Sequence, residues 1–541
     1  MDLGSTVTKA VVWREDGPCG VGRSVLKTER FAGGRAEQEP SSWWDSVVEA
    51  CGLALGAGGG RAAGGGIKGI VFSAARQTFV MVDENCRPVG PGILWSDRRA
   101  GMEAEAIALA SGGTEAFRLR TGAILDSASP LAKLAWIGRD APDMLRTSRW
   151  LLFPRDFVLQ KMTGVVATDV TLASTSGFYD SSLLPVADLV ADVGEAAGLN
   201  DQWHDLLPPV LGSDEVAGEL TGIAASTLGL KAGIPVVVGA GDRPCEVLGT
   251  AATSRRPMVS WGTTANVSVP LPDWPETGGL GVVVSRGAGG VGEGGFLIEA
   301  GLSSAGSFLD WLLRGLAVEE RAFNVETLLE EASKSPPGSN GVVAVSWLGG
   351  ARAPWWRDDA RAAYFGLSAE HNIGDMARAA IESVAFEVDR CLVAVGSAVG
   401  SAGPSAVGSV GRAGTPGGSE RDGISMAGGS AIPLWGQVLT SITQMVGHRR
   451  GSAGLSAAAG AALLARDATG MRLELDAIDP PGHPIVPDPM LVGTYRSLRP
   501  AAERAVQAAL AFTQSTPDSD SSGSGRGSGS GRGSGGDSPE S

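Results

Sequence analysis

Four short segments of the 541-residue chain set carboxylates, hydroxyls and cations at spacings that phosphate or polyol chemistry can use. The first is Asp2-Leu3-Gly4-Ser5-Thr6-Val7-Thr8-Lys9: a carboxylate, a glycine that permits a tight turn, then hydroxyls and a lysine, followed by the strand-like residues 10–13. A hairpin of this kind places backbone N–H groups and hydroxyls around phosphate oxygens, with the carboxylate holding a metal. Trp261-Gly262-Thr263-Thr264 is a second glycine-plus-hydroxyl turn after a strand-like run. Each of the two also reads as an ordinary β-turn. In Gly239-Ala240-Gly241-Asp242-Arg243-Pro244 a strand ends and a helix begins, with Pro244 near its first position. Ligands of α/β sheets bind at the carboxyl ends of strands, where Asp242 could accept a proton from a substrate hydroxyl; it could equally cap the helix. Trp95-Ser96-Asp97-Arg98 repeats the logic, and a Trp/Asp/Arg set suits a polyol, with an apolar face for stacking and charges for hydroxyls.

The elements that must position these residues alternate. Residues 68–82 read as two short strands and 43–55 as a helix whose start signal is 40–42. A helix begun after Asp97 continues over 103–109. Residues 234–238 form a buried strand run, 257–269 supply strands around the Gly-Thr-Thr turn, and 376–393 form an amphipathic helix. This alternation predicts an α/β protein. No fixed-period tandem repeat is visible.

Composition narrows the class. Glycine accounts for 80 residues without a Gly-X-Y period, which excludes collagen. Net charge is −15, which disfavours a nucleic-acid binder. Five scattered cysteines without a CxxC fit a reducing compartment, and four distant histidines give no support to a His-based metal site. No apolar run reaches membrane-spanning length and residues 1–9 carry no signal-peptide core, so the expectation is a cytoplasmic protein that binds neither membrane nor nucleic acid. Residues 287–292 match GxGxxG, but at this glycine frequency about two such matches arise by chance, and no helix start follows. Residues 514–541 hold no aliphatic or aromatic side chain and should be disordered; 396–423 should be a long surface loop, and 56–66 a shorter one.

Taken in order, the segments resemble the FGGY carbohydrate kinase family (xylulokinase- and glycerol kinase-like). The resemblance rests on residues 2–12, Glu37-Gln38-Glu39-Pro40 with Trp43-Trp44, 93–100, Arg155-Asp156 with Thr163-Gly164 and Thr168-Asp169, 239–249, and 260–265. In the second half it continues with Gly350, Arg352, Pro354 and Trp355, with Arg378-Ala379 and Glu382, with Gly428-Gly429-Ser430 and Gln437, and with 460–462. It implies an α/β fold of two actin-like (ribonuclease H-like) domains of the sugar kinase/Hsp70/actin superfamily around an interdomain cleft. The domains would be 1–246, mainly for the sugar, and 247–512, mainly for the nucleotide, with 513–541 as a tail.

The implied activity is ATP-dependent phosphorylation of a sugar or polyol, with a xylulose-like ketose as favourite and ATP and Mg²⁺ as cofactors; homodimers are common in the family. Asp242 would be the general base and Asp2 would hold Mg²⁺, directly or through water. Gly4, Ser5, Thr6, Lys9, Gly262, Thr263 and Thr264 would contact phosphates, and Gly428 and Gly429 would border the nucleotide. Gln77, Trp95, Asp97, Arg98, Asp242 and Arg243 would line the sugar pocket.

Departures from the family pattern leave the substrate open. Arg243 stands where the family has Gln or Asn, and Arg155 where it has Lys. Residues 73–78 match neither the xylulokinase-like nor the glycerol kinase segment; Arg76 is a further candidate contact, or a surface ion pair. The family also has more strand before its first Asp, so the expectation is a start upstream of Met1; the alternative is a catalytically impaired sugar- or nucleotide-binding protein on the same fold.

Overall fold

The computed structural model describes residues 1–58, 66–188, 199, 203–277, 281–290, 295–315, 324–400, 422–428 and 432–515. Gly429, the tail from 516 onward, most of the 396–423 stretch and 59–65 lie outside the described residues.

Two six-stranded sheets dominate. The first contains β1 (Asp2–Leu3), β2 (Val7–Arg14), β3 (Gly17–Val25), β4 (Ile70–Ala74), β5 (Val216–Glu219) and β6 (Pro235–Gly241), in the order β5-β6-β4-β1-β2-β3. The second contains β7 (Met258–Trp261), β8 (Ala265–Leu271), β9 (Val283–Arg286), β10 (Phe296–Leu302), β11 (Ile424–Gly428) and β12 (Gly447–Arg449), in the order β9-β10-β8-β7-β11-β12. Each sheet repeats one plan. An antiparallel hairpin (β1–β2, β7–β8) continues outward through a further antiparallel strand (β3, β10), and its first strand is flanked on the other side by parallel strands, β4 and β6 in one sheet and β11 and β12 in the other. The duplication lies in topology rather than in sequence, which is why no repeat is visible along the chain.

The central strands are apolar because both faces are covered. β6 is buried from Val236 through Gly241, and β4 at every residue but Val71. The expected helices form at Ser41–Ala57, Gly101–Ala110 and Ile373–Gly400. Ser41–Ala57 lays Trp43, Val47, Ala50 and Ala54 against the first sheet. Ile373–Gly400 packs Ile381, Val384, Val388 and Leu392 into the core of the second. A third core, containing Phe117, Leu131, Leu134 and Phe178, supports the segment that carries Trp95.

The helix Asp242–Gly249 follows β6 and crosses between the halves. It packs on the helix Ser456–Leu464, whose Ala461 and Leu464 join Ala240 and Cys245 in one small core. The two helices approach so closely that a Cβ on Gly460 would overlap the carbonyl oxygen of Cys245, and one on Gly249 that of Ser456. Gly460→Ala is therefore expected to destabilise the fold by about 1–3 kcal/mol and, by displacing the helix that begins at Asp242, to lower turnover as well. Thermal unfolding read alongside steady-state rates checks this; a wild-type melting curve would show slack between the helices.

A cavity of about 630 Å³ lies beside Met1 between β2 and β4 and is lined by Trp13, Cys51, Leu55, Ile67 and Ala462 among others. The Met1 amino group donates to the Val71 carbonyl there, and burial lowers its pKa. The lining of this cavity is mainly apolar, with Glu15, Asp16 and Thr469 among the exceptions, and it includes none of the four segments that carry the candidate chemistry.

Candidate active site

Strand register gathers the first set of residues. Leu3 stands opposite Ala74, and Ala74 opposite Gly241. The turn after β1, the loop after β4 and Asp242 after β6 therefore leave the sheet at one end. In the β1–β2 hairpin Asp2 pairs with Lys9 and Leu3 with Thr8. A Cβ on Gly4 would stand 2.8 Å from the Val7 carbonyl oxygen, so the turn requires glycine. The Ser5 hydroxyl accepts from the Trp95 indole N–H at 2.8 Å, which leaves its own proton free to donate. The second hairpin closes through the Gly262 N–H, which donates to the Thr264 carbonyl at 2.8 Å. Gly428 pairs with Trp261 at the same sheet end, with φ +60° and room for no Cβ. The structure thus brings Gly428 to Gly262, Thr263 and Thr264.

Asp242 is the first residue of its helix, and Gly241 is the N-cap, without a side-chain cap bond. Its Oδ1 accepts from the Arg243 N–H at 2.8 Å and faces Arg76 Nε at 3.3 Å. Its Oδ2 has no partner among the described residues, and the side chain is 35 % exposed. A half-open carboxylate with one free oxygen at a strand's carboxyl end can take a proton from a bound hydroxyl. Arg243 turns away to Glu246 at 2.7 Å, on a residue that also accepts from Ser260 of the second sheet. Arg76 reaches across to Glu299 on β10 with two bonds of 2.7 and 2.9 Å, so it links the candidate base to the other half of the molecule.

Between the halves lies a cavity of about 90 Å³ lined by Arg76, Gln77, Asp126, Asn266, Arg352 and Trp356. Gln77 is held with φ 62°, a left-handed backbone unusual for a side-chain-bearing residue, and donates to the Thr175 carbonyl at 3.1 Å. Such outliers persist where surrounding structure enforces them, commonly at ligand sites. Trp95 faces the guanidinium of Arg352, 5.9 Å from its ring centre. Arg98 is paired with Asp126 at 3.1 Å.

Asp97 does not reach the cavity. It is fully buried and accepts from the Ala36 N–H at 2.6 Å, the Arg99 N–H at 3.0 Å, and Arg99 Nε and Nη2 at 2.9 and 2.7 Å. Burial pushes its pKa up, but the bonds from Arg99 and Ala36 outweigh that and hold it below the usual carboxylate value. Its geometry is that of a residue that fixes the turn bearing Trp95 and Arg98, not of a sugar contact.

Lys133 supports the same turn from behind: fully buried, its amine donates to the Leu94 carbonyl at 2.7 Å, and burial lowers its pKa to about 7. Asp97 and Asp126 oppose the shift, while Arg98 and Arg99 add to it. The unfolded chain then binds more protons than the folded one between about pH 7 and the ordinary lysine value near 10.4, so this group's contribution to stability rises with pH across that window. The melting temperature of Lys133→Met relative to wild type is therefore expected to fall from pH 7 to pH 9.5. A difference that stays constant would mean that the amine is charged in the fold throughout.

The donor set fits a cation that arrives with a nucleotide rather than a resident metal. Asp2 is buried; its Oδ1 accepts from Ser73 at 3.1 Å and its Oδ2 faces Lys9 at 3.3 Å. No group of three or more His, Cys, Asp or Glu residues able to hold a metal occurs among the described residues. Mg²⁺ is commonly bound by one or two carboxylates plus phosphate oxygens and water, which a lone Asp2 beside the Gly4–Thr6 turn satisfies.

Glu299, Asp126, Asn266 and Trp356 have no sequence signal that marks them for this site. Arg352 lies within a motif of the resemblance, yet nothing local shows that it enters the cleft.

The model for the FGGY family of carbohydrate kinases, N-terminal domain, matches residues 1–249, and that for the C-terminal domain matches 258–468. A xylulose kinase of Staphylococcus xylosus is 26 % identical over 408 residues, covering 72 % of this chain and 78 % of that protein. A gluconokinase of Bacillus subtilis is 25 % identical over 402 residues, covering 72 % and 74 %. The solved structure of a ligand-bound xylulose kinase from Lactobacillus acidophilus superposes with a TM-score of 0.78 at 20 % identity, over 95 % of this chain and 98 % of that one, and so shares the fold. With both domain models matched in order along two actin-like sheets, the chain belongs to the FGGY family of carbohydrate kinases, phosphotransferases with an alcohol group as acceptor.

Proposed function

We propose that this chain transfers the γ-phosphoryl group of ATP to a hydroxyl of a sugar or polyol bound in the cleft, with Asp242 as general base. The observation that carries the reading is the free Oδ2 of Asp242, set by strand register at the sheet end where the Gly4–Thr6 turn also emerges. Phosphoryl transfer asks mainly for positioning and charge neutralisation. Gly4, Ser5, Thr6 and Lys9 on one hairpin, and Gly262, Thr263, Thr264 and Gly428 on the other, offer N–H groups, hydroxyls and a cation to phosphate oxygens. Mg²⁺, held by Asp2 directly or through water, would neutralise charge on those oxygens. Gln77, Trp95 and Arg98 form the acceptor side; Asp97 and Lys133 hold that wall in place. The contacts of Arg76 with Glu299 and of Ser127 with Asp358 link the halves across the cleft, and closure of such a cleft over its ligands would exclude water from the reacting atoms.

Relatives named xylulose kinase support a xylulose-like ketose as acceptor, and one named gluconokinase supports a sugar acid. No helix among the described residues is long and apolar enough to cross a membrane, and the proposed use of ATP supports a cytoplasmic reading. Release of ADP in the presence of pentoses, hexoses, polyols and aldonates tests the reading. Turnover on at least one is expected; ATP binding without turnover on any would favour a sugar- or nucleotide-responsive binding protein.

A further inference from the structure

The guanidinium of Arg76 is shared between two carboxylates from opposite halves of the molecule. Nη1 and Nη2 donate to Oε2 and Oε1 of Glu299 at 2.7 and 2.9 Å, while Nε lies 3.3 Å from Oδ1 of Asp242. The stem runs over Gly241, where a Cβ would stand 2.7 Å from Arg76 Cδ, so the side chain is confined beside the residue that precedes Asp242. Glu299 is buried on β10, and the hydroxyls of Ser268 and Ser285 donate to its two oxygens at 3.4 Å each. Burial lowers the pKa of Arg76, but Glu299, ahead of Asp242, outweighs this and holds it above the usual arginine value. Glu299 is therefore the stronger of the two partners. Arg243, the next cation on this side, is committed to Glu246.

An arginine fork is best matched by a carboxylate that accepts two parallel N–H bonds. Glu299 takes that place. Asp242 receives only the Nε edge, on Oδ1, the oxygen that already accepts from the Arg243 N–H. Without Glu299, the carboxylate left beside the fork is Asp242, and a buried cation deprived of its partner is costly enough to turn toward it. Pairing with both oxygens would then occupy Oδ2, the oxygen that the acceptor proton needs. We infer that Glu299 is a positioning residue for phosphoryl transfer: by holding the Arg76 fork on the second half of the chain, it keeps Oδ2 of Asp242 free to take the proton. This role rests on the general-base reading above and extends it. The base is exposed only where the two halves meet, and their separation would return the fork to Asp242.

Glu299→Gln keeps the size of the side chain and one acceptor oxygen but not the two-oxygen clasp. ADP release by the full chain is read with whichever pentose, hexose, polyol or aldonate the wild type turns over fastest. The variant is expected to lower kcat by about 10–100-fold, the range for hydrogen bonds to a charged group, with KM for ATP and acceptor unchanged. Adding Glu299→Gln to Asp242→Asn should lower kcat no further, because no basic oxygen is left to protect. Equal losses in the two backgrounds, or a rise in KM in place of the fall in kcat, would overturn the inference and leave the kinase reading standing. Arg76→Gln combined with Glu299→Gln puts a neutral pair in place of the ion pair and removes the fork that would occupy Oδ2. It is expected to run at least about tenfold faster than Glu299→Gln alone, and an equal rate would overturn the inference. If Glu299→Gln fails to fold, the neutral pair is judged against the wild type: kcat within about tenfold supports the inference, and a larger loss overturns it. No wild-type turnover on any acceptor would remove the reaction and with it the role given to Glu299.

Discussion

Asp242→Asn is expected to lower kcat by about 10²–10⁴-fold, the usual contribution of a positioned general base, with little change in KM for the acceptor. The side-chain amide matches the carboxylate in size, and its oxygen can still accept from the Arg243 N–H now bonded at 2.8 Å. Arg76 keeps both bonds to Glu299, so the link between the halves survives. What is lost is the free basic oxygen. The unchanged surroundings predict an unchanged melting temperature, which separates a chemical defect from a folding one. Steady-state ADP release is the measurement; turnover near wild type in a well-folded variant would remove Asp242 from the role and direct attention to Glu246, the next carboxylate on the same helix.

The strand end and helix start at Asp242 were legible in the sequence because their signals are local: three valines of a covered strand, two glycines, then a proline near the start of a helix. The two glycine-hydroxyl turns were legible for the same reason, each hairpin being closed by residues a few positions apart. Other parts depended on contacts that no local pattern carries. The sequence placed Asp97 among polar groups that suit a sugar, but it could not show that Arg99, two residues on, folds back with three hydrogen bonds and seals it. Arg76 and Glu299 are 223 positions apart and meet only because the two sheets face one cleft. Similarly, the helix Ser456–Leu464 lies late in the chain yet joins Ala240 and Cys245 in one core. A border drawn at 246 therefore falls inside the helix Asp242–Gly249, whose partner is the helix Ser456–Leu464, more than 200 positions later.

The largest expected effect on stability belongs to Arg155, which never touches the cleft. Its side chain is fully buried; Nε meets Asp156 at 2.7 Å, Nη2 meets Asp169 at 2.8 Å, and Nη1 donates to the carbonyls of Val238 and Gly239 at 2.7 and 3.1 Å. Arg155→Met fills the volume but leaves two buried carboxylates without their cation, and removal of one partner from a buried ion network costs about 3–5 kcal/mol. Burial already pushes the Asp156 carboxyl up to about 6, with Arg155 as the leading opposing influence, so the variant should relieve part of the strain by protonating it at mildly acid pH. A lysine retains the charge but cannot span both carboxylates and two carbonyls at once, so Arg155→Lys should fall between Met and wild type. The loss should also reach the chemistry. Asp169 receives the Thr171 hydroxyl at 2.6 Å, and that hydroxyl oxygen accepts from the Gly241 N–H at 2.8 Å, one residue before Asp242. Thermal or denaturant unfolding, paired with kcat at a temperature where the variant is still folded, tests both halves. A destabilisation under about 1 kcal/mol would mean that water or protonation compensates the carboxylates and that this network does not hold β6 in place. A large destabilisation with kcat intact would confine Arg155 to the fold and leave the register of β6 sufficient by itself to present Asp242.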